Sequence, residues 1–259
     1  GHGNIFRLFF TSGRICQSRM IKRGEYYRIY SAVVTNEGSL VVYSDDFGDT
    51  WTPLGGADAR PAPEGDEAKL EELPDGRVLL SCRRSGKDGR WFNVFSYGDN
   101  SYGQGSWAQP VASENPDGGT ATINNNCNGE ILLVPAKAKD GSRVYVALQS
   151  VPRGTPGNHP SNLERRSHVS VYWKAFRSAA DWASPENWKD GWERYEITDG
   201  YSAYSSMAIG DKGNICFIYE DDGVRFRLGS QSTEMYSIFY RNLTLKEITG
   251  GKYKYSKIK

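Results

Sequence analysis

The sequence is poor in the side chains that usually bind metals. It has four cysteines and three histidines among 259 residues, with no Cys-x-x-Cys pair or comparable ligand spacing. Cys16, Cys82, Cys127 and Cys216 stand far apart, which favours buried thiols over disulfides. We therefore expect no metal and no cofactor.

The sequence also lacks an excess of one charge and a long apolar run. Lysine and arginine number 32 against 31 acidic residues, so no overall basic field favours nucleic acid. No segment reaches the roughly 18 consecutive apolar residues of a membrane-spanning helix. Hydrophobic residues at 38% and aromatic residues at 13% are enough for a substantial core. The composition predicts a globular chain with no nucleic-acid partner and no membrane span.

Short segments rich in β-branched and aromatic residues predict strands along most of the chain. The predicted strands are 5–10, 26–34, 40–44, 77–82, 130–134, 144–149, 168–173, 215–219 and 236–240. Turn signals at Glu37-Gly38, Asp75-Gly76, Asn128-Gly129 and Lys212-Gly213 group these strands into roughly four antiparallel meanders. The polar stretches 152–163 and 179–191 are predicted to be loops. The pattern predicts an all-β chain.

Residues 44–51 form the octet Ser-x-Asp-x-Gly-x-Thr-Trp, which resembles an Asp-box. In this hairpin turn the Asp46 carboxylate can accept hydrogen bonds from nearby backbone N–H groups, and Gly48 can adopt positive φ. Trp51 can then cover the sheet that follows. In families that carry it, the box recurs on successive blades of a β-propeller. Its role is architectural, so the chemistry must lie elsewhere.

Two predicted hairpins share one geometry. Glu67 and Arg83 lie sixteen residues apart, equally far from the turn between them. Tyr204 and Glu220 have the same separation around a second turn. In an antiparallel hairpin this spacing makes each pair near neighbours at the end opposite the turn. The sequence therefore predicts one structural unit used twice.

The segment from Glu67 to Arg83 resembles the part of bacterial exo-α-sialidases that carries the acidic partner of the nucleophile and, sixteen residues later, a carboxylate-binding arginine. The run Ala-Tyr-Ser-Ser-Met around Tyr204 resembles the nucleophile segment of the same family. Between them, Arg-Arg-Ser-His-Val-Ser-Val-Tyr resembles the strand that supplies another arginine. Strand register favours Arg166 over Arg165 in that role.

The resemblance implies a fold, a site and a substrate. The fold would be a six-bladed sialidase-type β-propeller, with residues 1–259 supplying about four blades of its C-terminal portion. Tyr204 would be the nucleophile and Glu67 its proton acceptor, while Arg83 and Arg166 would bind the carboxylate of sialic acid. The partners would be sialylated glycans, hydrolysed with retention, and the protein would be secreted or periplasmic.

The chemistry of sialic acid explains these residue types. Its anomeric carbon bears a carboxylate, so a carboxylate nucleophile would approach against like charge, whereas a phenol avoids this repulsion. A phenol with its usual pKa of about 10 is a weak nucleophile until a neighbouring base takes its proton. Arginine matches a carboxylate because its planar fork donates two parallel hydrogen bonds.

The sequence departs from the family in one respect. The family's first arginine, in a Phe-Arg-Ile-Pro motif, and its acid/base aspartate lie upstream of a Gly-x-Gly segment like the one that opens this chain at Gly1-His2-Gly3. We therefore expect the chain to begin within a longer protein and to be inactive alone. Two alternatives remain open: a non-catalytic propeller that binds acidic glycans, and a trans-sialidase.

Overall fold

The computed structural model describes residues 7–10, 14–123, 125–157, 165–222 and 236–257. The chain divides into two compact units. The first comprises Gly1–Ser85, Gly89–Ser113 and Ser178–Asp190, and the second comprises Gly86–Asp88, Glu114–Arg177 and Gly191–Lys259. The predicted opening segment Gly1-His2-Gly3 lies outside the described residues.

The first unit contains two antiparallel sheets. The six-stranded sheet consists of β1 (Leu8–Phe10), β2 (Cys16–Arg23), β3 (Tyr26–Thr35), β4 (Gly38–Ser44), β5 (Thr52–Pro53) and β6 (Ala62–Pro63). The five-stranded sheet consists of β7 (Gly65–Glu72), β8 (Val78–Arg84), β9 (Arg90–Tyr97), β10 (Gly105–Trp107) and β11 (Val111–Ser113). Strands β7, β8 and β9 pair in sequence order, as in a propeller blade.

The second unit also contains two antiparallel sheets. The five-stranded sheet has the order β15-β14-β13-β12-β19, and the three-stranded sheet has the order β16-β17-β18. Their strands are β12 (Ile131–Ala138), β13 (Arg143–Pro152), β14 (Val169–Phe176), β15 (Glu193–Glu196), β16 (Ser202–Ile209), β17 (Ile215–Asp221), β18 (Ser237–Leu243) and β19 (Tyr253–Tyr255). The prediction of an all-β chain with four meanders is confirmed.

Side-chain alternation decides which sheet faces are buried. In β17, Ile215, Phe217 and Tyr219 are buried in the core of the second unit, whereas Ile218 between them is exposed. This is the period of two expected for a strand with one buried face. In β8 the first five residues are all buried, so both faces of that strand are covered.

The predicted strands all coincide with observed ones, although residues 5 and 6 of the first lie outside the described residues. Ten observed strands were not among the predicted ranges, although the two predicted hairpins required β7 and β16; the ten are β2, β5, β6, β7, β9, β10, β11, β15, β16 and β19. β2 was missed because its sequence, Cys-Gln-Ser-Arg-Met-Ile-Lys-Arg, is largely polar and its burial does not alternate regularly. Of the predicted loop 152–163, the part 158–163 lies outside the described residues.

The prediction of an uninterrupted loop at 179–191 was wrong. This stretch contains helix α1 (Ala179–Ala183) and a 3₁₀ helix (Pro185–Trp188). Both are held by buried tryptophans, because the indole Nε1 of Trp188 donates to the Trp182 carbonyl at 3.0 Å. A helix of five residues is too short to show a 3.6-residue period in sequence. The other described helix is α2 (Leu245–Ile248).

The prediction of a hairpin turn at Asn128-Gly129 was also wrong. Gly129 leads directly into β12, and the turn that joins β12 to β13 lies at Asp140-Gly141 instead. Glycine is needed at 129 for another reason, since a Cβ there would lie 1.7 Å from the Ser150 carbonyl oxygen. The glycine therefore marks a close approach of two backbones.

The Asp-box forms the predicted turn between β4 and β5. The Asp46 carboxylate accepts from the backbone N–H of Thr50 at 2.9 Å, and Gly48 has φ of 102°. Trp51 packs against Phe10 of β1 with ring centroids 5.6 Å apart. The octet therefore closes the β4–β5 hairpin and contributes no reacting group.

We expect the Asp46 carboxyl to titrate well below a free carboxyl. Hydrogen bonds from the Thr50 and Ser44 hydroxyls lower its pKa from 3.8 to about 2. Because the folded pKa is the lower one, the stabilisation is present above the unfolded pKa and is lost as pH falls through about 2. An NMR pH titration should show Thr50→Val raising the pKa and Thr52→Val leaving it unchanged. A Thr50→Val protein that still titrates near 2 would contradict this account.

The cysteines are all free thiols in the structure. Cys16, Cys82 and Cys127 are buried as predicted, and burial raises the pKa of the Cys82 thiol to about 11. Cys216 is only half-buried because it shares the less covered face of β17 with Ile218. The buried thiols behave as small apolar side chains of the core.

Candidate active site

Glu67 and Arg83 form the first candidate pair, in the first unit. The register of β7 and β8 shifts between Gly65 and Ala68, so Asp66 and Glu67 together oppose Arg83. This β-bulge turns the Glu67 carboxylate toward the guanidinium, and Arg83 Nη1 donates to Glu67 Oε2 at 2.7 Å. Glu67 is only 8% exposed. The two side chains are therefore near neighbours, as their spacing predicts.

Tyr204 and Glu220 form the second pair, in the second unit. The register of β16 and β17 shifts between Ser202 and Ser205, which places Tyr204 in a bulge. Its backbone N–H donates to the Glu220 Oε2 at 3.1 Å. A bulge removes an N–H from the strand ladder, and here a carboxylate supplies the missing acceptor.

The two hairpins match from turn to bulge. Each residue of the first has its counterpart 137 positions later, so Tyr204 corresponds to Glu67 and Glu220 to Arg83. In each five-residue turn the first N–H donates to the fifth carbonyl at 2.8 Å. The glycine at the fourth position has φ of 87° in one turn and 78° in the other. The prediction of one structural unit used twice is confirmed, and the shared bulge adds a feature that spacing did not reveal.

Arg166 lies beside Tyr204. Its guanidinium carbon is 5.6 Å from the centroid of the Tyr204 ring, within the range of a cation–π contact. The backbone supports this placement, because the Arg166 carbonyl accepts from the Ser202 N–H at 2.9 Å. The same β-bridge region pairs Ser167 with Tyr201. The preference for Arg166 over Arg165 stays a prediction, although Arg166 is the arginine that contacts the Tyr204 ring.

The backbone is strained at His168, directly before β14. His168 has φ of 56°, a left-handed conformation that few residues other than glycine adopt. Its backbone N–H donates to the Gly200 carbonyl at 3.0 Å, and its carbonyl accepts from Arg153 at 3.1 Å. Strained residues of this kind persist only where the surrounding structure holds them, and they cluster at functional sites.

Glu130 is a residue that the sequence did not single out. It is fully buried just before β12, and its Oε2 accepts from the Ser206 hydroxyl at 3.1 Å. The Ser205 hydroxyl is 2.8 Å from the Ser150 hydroxyl on β13. Through Ser205 and Ser206, these contacts attach β16, the strand that carries Tyr204, to β13 and to Glu130. The only sequence signal was an acidic residue directly before an apolar run.

Taken separately, each unit presents an arginine and a candidate reacting group. The first combines a nearly buried carboxylate with a guanidinium, and the second combines a half-buried phenol with a guanidinium. Such groups can bind a carboxylate and transfer a proton. Within the described residues, no cluster of three or more His, Cys, Asp or Glu side chains could hold a metal ion.

The sheets, the Asp-box turn and the bulged hairpins have the form of β-propeller blades. No protein-family model matches the chain. A curated sialidase from Paraclostridium sordellii is 29% identical over 195 residues, which make up 73% of this chain and 41% of that protein. The chain thus spans less than half the length of this relative.

Solved structures of sialidases share the fold. The leech intramolecular trans-sialidase complexed with 2,7-anhydro-Neu5Ac gives a TM-score of 0.64 at 18% identity, covering 95% of this chain and 33% of that one. The intramolecular trans-sialidase from Ruminococcus gnavus, in complex with oseltamivir carboxylate, gives 0.58 at 18% identity, covering 89% and 43%. The predicted sialidase-type β-propeller fold and the resemblance to bacterial sialidases are confirmed.

Proposed function

We propose that the chain supplies the nucleophile and two carboxylate-binding arginines of a retaining exo-α-sialidase. Tyr204 is the nucleophile, Glu67 accepts its proton, and Arg83 and Arg166 bind the sialic acid carboxylate. The observation that carries the proposal is the matched pair of bulged hairpins, which present Glu67 and Tyr204 at equivalent positions. The curated sialidase relative supports it at the level of sequence.

The reaction proceeds by double displacement. The Tyr204 phenolic oxygen forms a bond to the anomeric carbon while its proton passes to Glu67, and the bond from that carbon to the aglycone oxygen breaks. A water molecule then attacks the same carbon and gives one proton to the family's upstream aspartate, while the tyrosyl bond breaks and the phenol recovers its proton from Glu67. Two inversions give net retention. Protonation of a natural sugar leaving group falls to the family's upstream aspartate.

Arg83 and Arg166 have different neighbours, but both are suited to binding the sialic acid carboxylate. Arg83 donates to Glu67 through Nη1, which restricts the position of its guanidinium. Arg166 lies against the Tyr204 ring, where a positive charge favours the negative charge that develops on the phenol oxygen. Two guanidinium groups can hold a carboxylate in one orientation and thereby fix the anomeric carbon relative to the nucleophile.

The fate of the intermediate separates a hydrolase from a trans-sialidase. Water yields free sialic acid, whereas an internal hydroxyl of the bound sugar yields an anhydro product, as the name of the leech neighbour implies for that protein. Product analysis by mass spectrometry in isotopically labelled water distinguishes them, because only hydrolysis incorporates the label.

In either case the partners are sialylated glycans, and the site of action is outside the cytoplasm. Among the described residues, no helix is long and apolar enough to span a bilayer.

The proposal is tested with an aryl α-sialoside. Its aglycone is the anion of an acidic phenol, so it can leave without being protonated. This substrate removes the dependence of aglycone departure on the upstream aspartate. We expect turnover of the sialoside, none of an aryl β-glucuronide, and a rise in KM of about tenfold or more in Arg166→Ala from the loss of charge-assisted hydrogen bonds. Arg143→Ala, an exposed arginine of the same unit, should leave both constants unchanged.

Two results would count against this proposal, the first against catalysis and the second against the role of Arg166. Specific sialoside binding by a folded protein without turnover would favour the non-catalytic glycan-binding propeller. Unchanged KM in Arg166→Ala, with turnover intact, would remove Arg166 from the site.

A further inference from the structure

The second unit contains a cavity that none of the candidate active-site residues lines. Its volume is about 430 Å³, and segment 114–123 forms one wall. Arg153, Tyr172 of β14 and Arg194 of β15 also line the cavity. This volume lies within the range of small-ligand pockets, about 300–1,000 Å³. The cavity is large enough for a single sugar residue.

Two arginines line the cavity, Arg153 and Arg194. Arg194 is tied by hydrogen bonds to the Ser170 hydroxyl at 3.1 Å and to Glu196 at 2.6 Å. Within the described part of the chain, the half-buried Arg153 guanidinium has neither a hydrogen bond nor an ion pair. An arginine that lines a cavity and has no carboxylate partner is suited to an anionic ligand.

Tyr172 lies near both arginines. Its hydroxyl donates to the Ala121 carbonyl at 3.1 Å, which links β14 to segment 114–123. Burial raises the pKa of Tyr172 to about 12, while the charges of Arg194 and Arg153 act in the opposite direction. The hydroxyl oxygen therefore remains a neutral acceptor within the field of two positive charges.

The wall made by segment 114–123 is preformed. The Asn115 side chain accepts from the Asp117 N–H at 3.0 Å, and its carbonyl accepts from the Gly119 N–H at 3.0 Å. A Cβ at Gly119 would lie 2.6 Å from that same carbonyl oxygen. The Trp192 N–H donates to the Gly118 carbonyl at 2.7 Å, which fixes the turn to the neighbouring strand segment. A fixed wall lowers the ordering cost of binding a ligand.

Acidic and aromatic groups complete the lining. Glu114 and Asp117 bring carboxylates, and the buried Tyr172 and Trp192 bring aromatic rings. Carboxylates accept hydrogen bonds from sugar hydroxyls, guanidinium groups bind a sugar carboxylate, and aromatic rings contact its C–H surface. A simple inorganic anion would gain nothing from the acids, and a neutral sugar would gain little from the arginines.

We propose that this cavity is a second carbohydrate site that binds one sugar residue bearing a carboxylate, such as a terminal sialic acid. Arg153 binds the carboxylate, and Glu114 and Asp117 accept from hydroxyls of the ring or side chain. The site goes beyond the catalytic proposal, because its lining includes neither Tyr204 nor the arginines assigned to the reaction.

The test is a titration of the chain with N-acetylneuraminic acid, followed by NMR. Binding is followed at the backbone signals of segment 114–123, whose residues line this cavity. We expect a saturable binding event at these signals that Arg153→Ala weakens at least about tenfold. Arg143→Ala, an exposed arginine at the start of β13, is the matched control and should bind normally. Lactose, which is neutral, should not bind.

A second variant guards against misfolding. Glu114→Gln alters an exposed rim residue and should also weaken binding while the spectrum of the folded protein is retained. Unchanged binding in folded Arg153→Ala would overturn the proposal, as would equal binding of lactose. A protein without sialidase turnover can still pass this test, so failure of the cavity proposal is distinct from failure of the catalytic one.

Discussion

Tyr204→Phe and Glu67→Gln are each expected to lower kcat/KM for an aryl α-sialoside at least about a hundredfold, with the double variant losing little more. The phenylalanine removes the attacking oxygen, and the glutamine removes the acceptor of its proton. Because the two groups serve one step, loss of either should remove nearly the same stabilisation of the transition state. Steady-state kinetics of the four proteins measures the coupling.

Matched substitutions away from the site separate this effect from general damage. Tyr27→Phe alters an exposed tyrosine, and Glu193→Gln alters an exposed glutamate that pairs with Lys252. Both should retain activity. Losses that add in the double variant would show that Glu67 and Tyr204 act independently, which matters because they belong to different compact units.

Gly213→Ala is expected to destabilise the protein by more than about 2 kcal/mol. Gly213 has φ of 78°, and a Cβ there would lie 1.9 Å from Cδ1 of the Tyr255 ring. A non-glycine residue in such a conformation costs about 1–3 kcal/mol by itself. The overlap adds to this cost, because Tyr255 belongs to β19 and is held in register with Ala136. Urea unfolding measures the total.

Gly141→Ala isolates the backbone part of that cost. Gly141 has φ of 85° and open space around its Cβ position. Its substitution should therefore cost less than that of Gly213. A second alanine at Tyr255 should recover part of the loss caused by Gly213→Ala, since it removes the ring. Equal losses for Gly213→Ala and Gly141→Ala would contradict the steric account.

About half of the strands, most of the predicted turns and the two sixteen-residue pairs could be predicted from sequence, because a period of two and a turn of fixed length determine which residues face each other. Glu67 and Arg83 meet for this reason. The bulges could not be predicted, because one extra residue in a strand leaves no trace in composition. The bulge at Tyr204 nevertheless determines its hydrogen bond to Glu220.

Other features depended on contacts between residues far apart in the chain. The buried Glu130 meets Ser206, 76 residues later, and no local pattern indicates this partner. Strand register favoured Arg166 over Arg165, but it could not predict that the Arg166 guanidinium contacts the Tyr204 ring, because that contact depends on the folded backbone. The short helix α1 forms because Trp182 is buried, which is a tertiary effect that overrides its weak local signal.

The central claim is that Tyr204 attacks the anomeric carbon of a sialoside. Its most direct test is incubation with a sialosyl fluoride that carries a second fluorine on the carbon next to the anomeric carbon. The anomeric fluoride leaves without protonation, and the second fluorine slows hydrolysis of the intermediate. Intact and peptide mass spectrometry should find one sialyl adduct, located on Tyr204 and absent from Tyr204→Phe. An adduct on another residue, or none in a folded protein that binds the reagent, would contradict the assignment of Tyr204 as nucleophile.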